Sequence, residues 1–251
     1  MIDVAVIGAG PAGAMCAREL ASAGVRVEVF DKARGAGGRL STRRRGGDRF
    51  DHGAQYFTAR DPALAARVAD WEQAGVVAPW EGSFGTLSGE GFAPHVPSAT
   101  RWVGVPGMSA VVKYLLAGVD VHFGRRVTGL RRDGGGWTVL GEDGSLVVAE
   151  RVVVAVPTPQ ALPLLAEHRF AALLDTVRYA PCWAVMAPGG SEPAPQWSAA
   201  RVEGSPLAWV ARNQTKPGRS PGEQWVLHAG PKWSAEHLDD QPDAVAAALV
   251  A

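Results

Sequence analysis

Ile2-Asp3-Val4-Ala5-Val6-Ile7-Gly8-Ala9-Gly10-Pro11-Ala12-Gly13 opens the chain, and Val25-Arg26-Val27-Glu28-Val29-Phe30-Asp31 comes after one short helical stretch. This opening decides the fold. Ile2 to Ile7 is a short, nearly all-apolar run of the kind a parallel sheet buries on both faces. Gly8 to Gly13 spells a full G-x-G-x-x-G. Pro11 suits the first turn of a helix, and helix-compatible spacing runs from Pro11 to Ala23 until Gly24 stops it. Val25 to Phe30 reads as a second strand with Asp31 at its end, eighteen residues beyond Gly13.

Each residue has a task in such a unit. Gly8 permits the tight turn, Gly10 lets a pyrophosphate approach the backbone, and Gly13 lets helix and strand pack closely. The helix beginning at Pro11 and Ala12 turns its N-terminus toward the phosphates. Asp31 can accept hydrogen bonds from a ribose diol. A G-x-G-x-x-G alone is weak evidence, because glycine-rich turns are common. Strand, turn, helix, strand and acid in this order and spacing make a dinucleotide-binding unit.

Residues 32–60 bear on which dinucleotide is held. A typical nicotinamide dehydrogenase continues past its second strand as alternating helix and strand. This stretch (KARGAGGRLSTRRRGGDRFDHGAQYFTAR) is instead rich in Gly and Arg and lacks helical periodicity. It reads as a segment that wraps a ligand, which favours FAD over NAD.

At these residues a family resemblance emerges. The N-terminal motif, Asp31-Lys32-Ala33-Arg34, Gly37-Gly38-Arg39 with Ser41-Thr42, and Asp51-His52-Gly53-Ala54-Gln55-Tyr56-Phe57 resemble the FAD-dependent amine oxidase superfamily, and within it the renalase-like flavoproteins. Arg101 to Ala110 (RWVGVPGMSA), Arg151 to Pro157 (RVVVAVP) and Trp225-Val226-Leu227-His228 match later parts of that pattern more softly. The resemblance implies an α/β protein with a Rossmann-like FAD-binding domain of the glutathione-reductase type and a second, discontinuous α+β substrate domain. The expected boundaries are 1–60 and 100–157 for the first, 61–99 and 158–230 for the second, and 231–251 for the start of a C-terminal helical region.

The same resemblance assigns residues. Gly8, Gly10, Pro11, Ala12, Gly13, Asp31, Lys32, Arg34, Gly38 and Arg39 are expected at the FAD, with Arg39 forking onto the pyrophosphate. Gln55 and Tyr56 are expected beside the isoalloxazine, and the Val127 backbone at the adenine edge. Tyr56 and His228 are expected to face substrate. Arg43-Arg44-Arg45 reads as a solvated face, with one of the three available to an anionic substrate. The implied reaction is hydride transfer from an isomeric dihydro form of NAD(P) to flavin N5, with oxygen as acceptor and no obligatory acid–base residue. Two other readings stand beside it: an amine oxidase or desaturase on the same scaffold, and a dinucleotide-binding remnant that turns nothing over. The amine-oxidase reading wants a lysine near N5, and none of the four (Lys32, Lys113, Lys216, Lys232) has a context that singles it out. Members of the family continue into a Gly-Asp strand and a closing helix. The chain ends at Ala251 within a helix expected from Gln241 or Asp243, so the expectation is that this closing element is missing.

Composition narrows the classes further. Lys+Arg and Asp+Glu total 25 each over 251 residues, so there is no sequence-wide electrostatic case for nucleic acid or anionic membrane. An apolar fraction of 47% with 20% charged residues argues for a packed globular protein and against disorder, and the partner that the resemblance implies is a small-molecule substrate. Two cysteines, Cys16 and Cys182, cannot build a disulfide framework, and the six histidines show no metal-ligand spacing. Val4 to Ala17 carries no charge but is broken by glycines and has no basic start, so a secretory signal is rejected and a cytoplasmic protein expected. A G-x-S-x-G elbow is absent, which sets serine-hydrolase chemistry aside.

Overall fold

The computed structural model describes residues 1–189 and 195–250; the stretch Pro188 to Pro195 (PGGSEPAP), whose composition reads as a local loop, falls largely outside them. Along the chain run β1 (Ile2–Ile7), α1 (Pro11–Ser22), β2 (Val27–Asp31), the hairpin β3 (Arg43–Arg45) and β4 (Asp48–Phe50), α2 (Pro62–Gln73), β5 (Val77–Pro79), β6 (Phe84–Ser88), β7 (Gly91–Pro94) and β8 (Trp102–Gly104). Then come α3 (Ser109–Leu115), β9 (Asp120–Phe123), β10 (Val127–Asp133), β11 (Gly136–Gly141), β12 (Gly144–Val154), α4 (Thr158–Ala161) and α5 (Ala171–Leu174). The last part holds β13 (Ala184–Pro188), β14 (Ala199–Val202), β15 (Leu207–Arg212), β16 (Gln224–Ala229), α6 (Pro231–Glu236) and α7 (Pro242–Val250).

Contacts divide the chain into two compact units: Met1–Leu40 with Val111–Arg178, and Ser41–Ala110 with Tyr179–Ala251. The division differs from the expected boundaries. Residues 41–60 and 100–110 group with the second unit because Thr42, Asp51 and Met108 share hydrogen bonds with one another, and Asp51 also with Lys216 and Arg219. Residues 158–178 group with the first, where Thr158, Ala161, Leu165, Phe170 and Leu174 wall an apolar cavity of about 480 Å³ against Leu130, Trp137 and Val152.

The first unit is built on a six-stranded sheet in the order β10-β11-β12-β1-β2-β9. β1 pairs in parallel with both β2 and the second half of β12, and β2 in parallel with β9. Burial on both faces explains the apolar β1 sequence: Val4 to Ile7 are all buried. Although the Glu142-Asp143-Gly144 turn reads as a hairpin and the apolar Val152 to Val156 run as a strand of its own, the hairpin's second arm and most of that run belong to one eleven-residue strand, β12. Its first half pairs antiparallel with β11 and its second half parallel with β1. α1 packs against β1 through Gly13, where a Cβ would fall 1.9 Å from the Gly8 carbonyl oxygen.

The second unit holds a sheet in the order β13-β16-β15-β14-β6-β7. One face carries Val185, Leu227, Val210 and Ala200, register neighbours that pack with Val245 and Leu249 of α7 in one core cluster. The other face carries the row Ala184, His228, Trp209, Arg201, Thr86 and Ala93, each directly paired with the next across all six strands. Successive residues of each strand point to opposite faces, so His228, Trp209 and Arg201 lie on the face away from the Val185–Leu227–Val210–Ala200 cluster.

Because no relaxation of a flexible side chain can relieve a clash with backbone, Gly13→Ala should destabilise the protein by about 1–3 kcal/mol, the cost of overpacking a close contact. Urea denaturation checks this. An unchanged midpoint would mean that α1 does not pack on the Gly8 turn as described.

Candidate active site

In an open α/β sheet the ligand crevice lies beyond the carboxyl ends of the strands, and the first unit has a cavity of about 750 Å³ there. Ile7 and Gly8 at the end of β1, Phe30 and Asp31 at the end of β2, and Ala155 and Val156 after β12 line it. Of the residues assigned to a cofactor, Gly8, Gly10, Pro11, Ala12, Asp31, Lys32, Gly38, Arg39 and Val127 all border this one cavity. Gly13 sits behind them in the helix–strand contact. Arg34 is exposed and is not among the lining residues, so the structure does not gather it with the rest.

The cradle is made of backbone. Gly8 has φ +110° and Gly38 φ +53°, both in the left-handed region that favours glycine. A Cβ on Gly38 would lie 3.1 Å from the Gly10 Cα, whereas one on Gly10 would meet nothing closer than 4.0 Å, so Gly10 leaves open space. α1 begins with no side-chain cap. Its first N–H groups therefore remain available to an anion. Asp31 clamps the turn: one carboxylate oxygen accepts from the Ala9 N–H at 2.6 Å and the other from the Ala33 N–H at 2.7 Å. Lys32, Arg39, Arg125 and Arg126 give the lining four cations. A glycine-walled, cation-rimmed cleft of this volume, with an acid at the second strand, fits a dinucleotide diphosphate and ribose.

Gln55, Tyr56 and His228 belong to the second unit. Gln55 is buried and donates from Nε2 to the carbonyls of Asp51 and Gly53. His228 Nε2 lies 2.9 Å from the His52 carbonyl oxygen and 3.5 Å from Gln55 Nε2. Burial holds the His228 imidazole below the ordinary histidine value, with the Lys216 charge adding to that, so it is neutral near pH 7. A neutral ring that donates from Nε2 to a carbonyl keeps its lone pair on Nδ1. The Tyr56 ring packs at 6.4 Å from Trp80 and 6.0 Å from Trp209. Tyr56, Gln55 and His228 therefore share one region, and Trp209 stands beside His228 in the sheet register.

Lys216 corrects the sequence reading, which gave no lysine a distinctive setting. Its side chain is wholly buried and donates to Gln55 Oε1 at 3.0 Å and to Asp51 Oδ2 at 3.4 Å, with the Trp80 ring centroid 4.9 Å away. Arg219, also wholly buried, donates to the same Asp51 oxygen and to the Gly104 carbonyl at 2.9 Å. Asp51 Oδ1 accepts from Thr42 Oγ1 at 2.8 Å and from the Met108 N–H at 2.9 Å. Burial alone would raise the Asp51 pKa, but Lys216, Arg219 and these hydrogen bonds outweigh it and hold the carboxyl ionised. Burial pushes Lys216 down to about 8. One carboxylate thus serves two cations. Nothing in Asn213-Gln214-Thr215-Lys216-Pro217-Gly218-Arg219 marks these two as buried, since a polar turn sequence normally sits in water.

Elsewhere, Arg43, Arg44 and Arg45 are exposed on β3, as a solvated face would be. Among the described residues one group, Glu28, Asp120 and His122, brings potential metal-ligating atoms within 4.8 Å of one another. With His122 Nε2 2.8 Å from Glu28 and its ring stacked on Phe30, it reads as a hydrogen-bonded surface pair. No helix among the described residues is long and apolar enough to cross a membrane.

Comparisons with known proteins agree with this geometry. An NAD(P)-binding Rossmann-like domain model matches residues 6–71, and a flavin containing amine oxidoreductase model matches residues 92–187. The chain is 27% identical to renalase of Mus musculus over 175 residues, 65% of this chain and 49% of the relative. It spans about half the length of the curated relative it matches. Among solved structures it resembles a protein assigned as a protoporphyrinogen oxidase of Exiguobacterium sp. 255-15, with TM-score 0.78 and 10% identity over 98% of this chain and 81% of that one. A putrescine oxidase bound to putrescine gives TM-score 0.69 and 14% identity over 99% and 81%. At such identities these likenesses establish the fold.

The charge count of the buried group makes an asymmetric prediction. Asp51→Asn strands two buried cations and should cost about 3–5 kcal/mol, whereas Lys216→Met leaves a balanced Asp51–Arg219 pair and should cost less than half as much. Equal losses in chemical denaturation would contradict the account. Since the folded Lys216 pKa is depressed, the unfolded chain binds more protons between pH 8 and the ordinary lysine value. Wild-type stability relative to Lys216→Met should therefore rise as pH increases through that window, and a fall would show that Lys216 stays fully charged.

Proposed function

We propose that this chain, a renalase-like member of the flavin-containing amine oxidoreductases, is an FAD-dependent oxidoreductase that oxidises a small reduced nicotinamide, an isomeric dihydro form of NAD(P). The observation that carries the reading is the single cavity at the carboxyl ends of β1, β2 and β12, bordered by nine of the residues assigned to the cofactor. In this reading Asp31 holds the adenosine ribose, the N-terminus of α1 and Arg39 hold the pyrophosphate, and Val127 borders the adenine.

When bound, FAD supplies the redox chemistry: it accepts a hydride, two electrons with one proton, and passes electrons to dioxygen to give hydrogen peroxide. The protein's part is positioning. Tyr56 and Trp209, both half-buried, offer aromatic surface for a flat ring, with Trp80 packed behind Tyr56. His228, neutral and held by the His52 carbonyl, offers an acceptor at Nδ1 for a carboxamide or amine hydrogen. A dihydropyridine gives up hydride without prior deprotonation, so orientation supplies much of the rate. Lys216 is committed to Asp51 and Gln55, which makes it a structural cation in this account.

Two experiments test this. Asp31→Ala should weaken FAD binding by about 1–3 kcal/mol, the scale of a lost charged hydrogen bond, in a fluorescence titration; an unchanged affinity would remove Asp31 from the ribose. Anaerobic mixing of the FAD-bound protein with isomeric dihydronicotinamides should bleach the flavin in one phase, and oxygen should restore it with stoichiometric peroxide. Faster bleaching by monoamines or polyamines, with none by any dihydronicotinamide, would establish the amine-oxidase reading instead.

A further inference from the structure

Among the described residues, two cations on the His228 face of the second unit's sheet have no ion-paired acid: Arg201 of β14, and Arg101, which packs against Phe84 of β6. Arg101 is only 8% exposed, and its guanidinium lies over the rings of Phe84 at 3.9 Å and Tyr56 at 4.7 Å. Among the described residues no carboxylate forms an ion pair with it. Its Nη2 meets His95 Nε2 at 3.4 Å, while its buried Nη1 has no hydrogen-bond partner. A buried guanidinium without a counter-charge is among the most costly arrangements a protein can hold. The two rings offset part of that cost through their faces but supply no negative charge.

Two neighbours repeat the pattern. Trp209, packed on the same Tyr56 ring, has a buried indole N–H with no partner. Arg201 comes next to Trp209 in the row across the sheet and is exposed. Burial and the Arg201 charge together outweigh Tyr56 and hold Arg101 below the ordinary arginine value, so the two cations feel one another. Unmet donors and two cations around an aromatic surface call for an oxygen-rich anion.

We infer that Arg101 and Arg201, with the Trp209 indole N–H, form an anion subsite that takes the phosphate or pyrophosphate of the reduced nicotinamide donor. The guanidinium fork matches phosphate oxygens bidentately. The inference rests on the proposed oxidation of a dihydronicotinamide and specifies how that donor is told from an amine. A protonated amine would meet the two cations Arg101 and Arg201 and, in this row, no carboxylate; a phosphate-bearing donor supplies the missing charge.

The test uses the full chain saturated with FAD, so that the nucleotide cradle is filled. Inorganic pyrophosphate is titrated against tryptophan fluorescence in wild type, Arg101→Met and Arg201→Ala; the exposed Arg201 position keeps the test valid if Arg101→Met fails to fold. Saturable wild-type binding should weaken by about tenfold or more in each folded variant, the loss expected for a charged hydrogen bond, with flavin content unchanged. The second arm compares a reduced nicotinamide mononucleotide isomer with uncharged N-benzyl-dihydronicotinamide as reductants. The variants should lose kcat/KM with the phosphate-bearing donor and keep it with the neutral one. Equal loss with both donors, or pyrophosphate binding that neither variant alters, would overturn the subsite. If neither donor bleaches wild-type flavin, the proposed reaction fails, and the pyrophosphate titration still decides the subsite.

Discussion

The carbonyl oxygen of Gly8 occupies the space that a side chain at residue 13 would need, and that close approach is the constraint on which the first unit depends. It brings α1 onto the end of β1, so the first N–H groups of α1 face the cavity without a capping side chain. The Asp31 carboxylate then ties the same turn to β2 through the Ala9 N–H. Backbone geometry and one acid fix the cradle before any ligand arrives, which lowers the ordering cost of binding. The cations along its rim add charge complementary to a diphosphate without being needed to shape the turn.

The second unit is organised by the opposite device, a fully desolvated carboxylate. Asp51 gathers Thr42, the Met108 N–H, Lys216 and Arg219, and through Lys216 it orients Gln55. Such a cluster is weak evidence for net stability, because desolvating three charges consumes most of the Coulombic gain. Its effect is specificity of arrangement: segments far apart in sequence have one low-energy way to meet. The same unit leaves Arg101 without an acid, and the contrast is informative. Where the fold needs a buried cation for structure it provides a carboxylate; beside Tyr56 it provides aromatic faces and the His95 ring but, among the described residues, no acid.

How much of this is legible in sequence depends on where each signal resides. β1, α1, β2 and the glycine turn are local, and their periodicity and spacing predict them within a residue or two. The later strands β5, β6, β7, β13, β14 and β15 escape such reading. Their sequences are short, several carry Gly or Pro, and their identity as strands comes from pairing across the sheet. The long strand β12 is missed as a unit because one half faces β11 and the other β1, so its burial pattern changes midway. Gln55, Tyr56 and His228 are singled out in sequence by family resemblance alone, and the fold brings the three into one region. Lys216 and Arg219 are missed because a polar turn sequence looks solvated, and only the tertiary fold places Asp51 beside it.

Hydrogen exchange of the chain with and without FAD tests the central claim most directly, because it reports where the cofactor sits and whether it is the preferred dinucleotide. The account predicts that saturating FAD slows exchange at Ala9 to Ala14, Gly37 to Leu40 and Val127 to Thr128, and that NAD at equal concentration protects these amides less. Protection confined to other segments, or stronger protection by NAD, would contradict it.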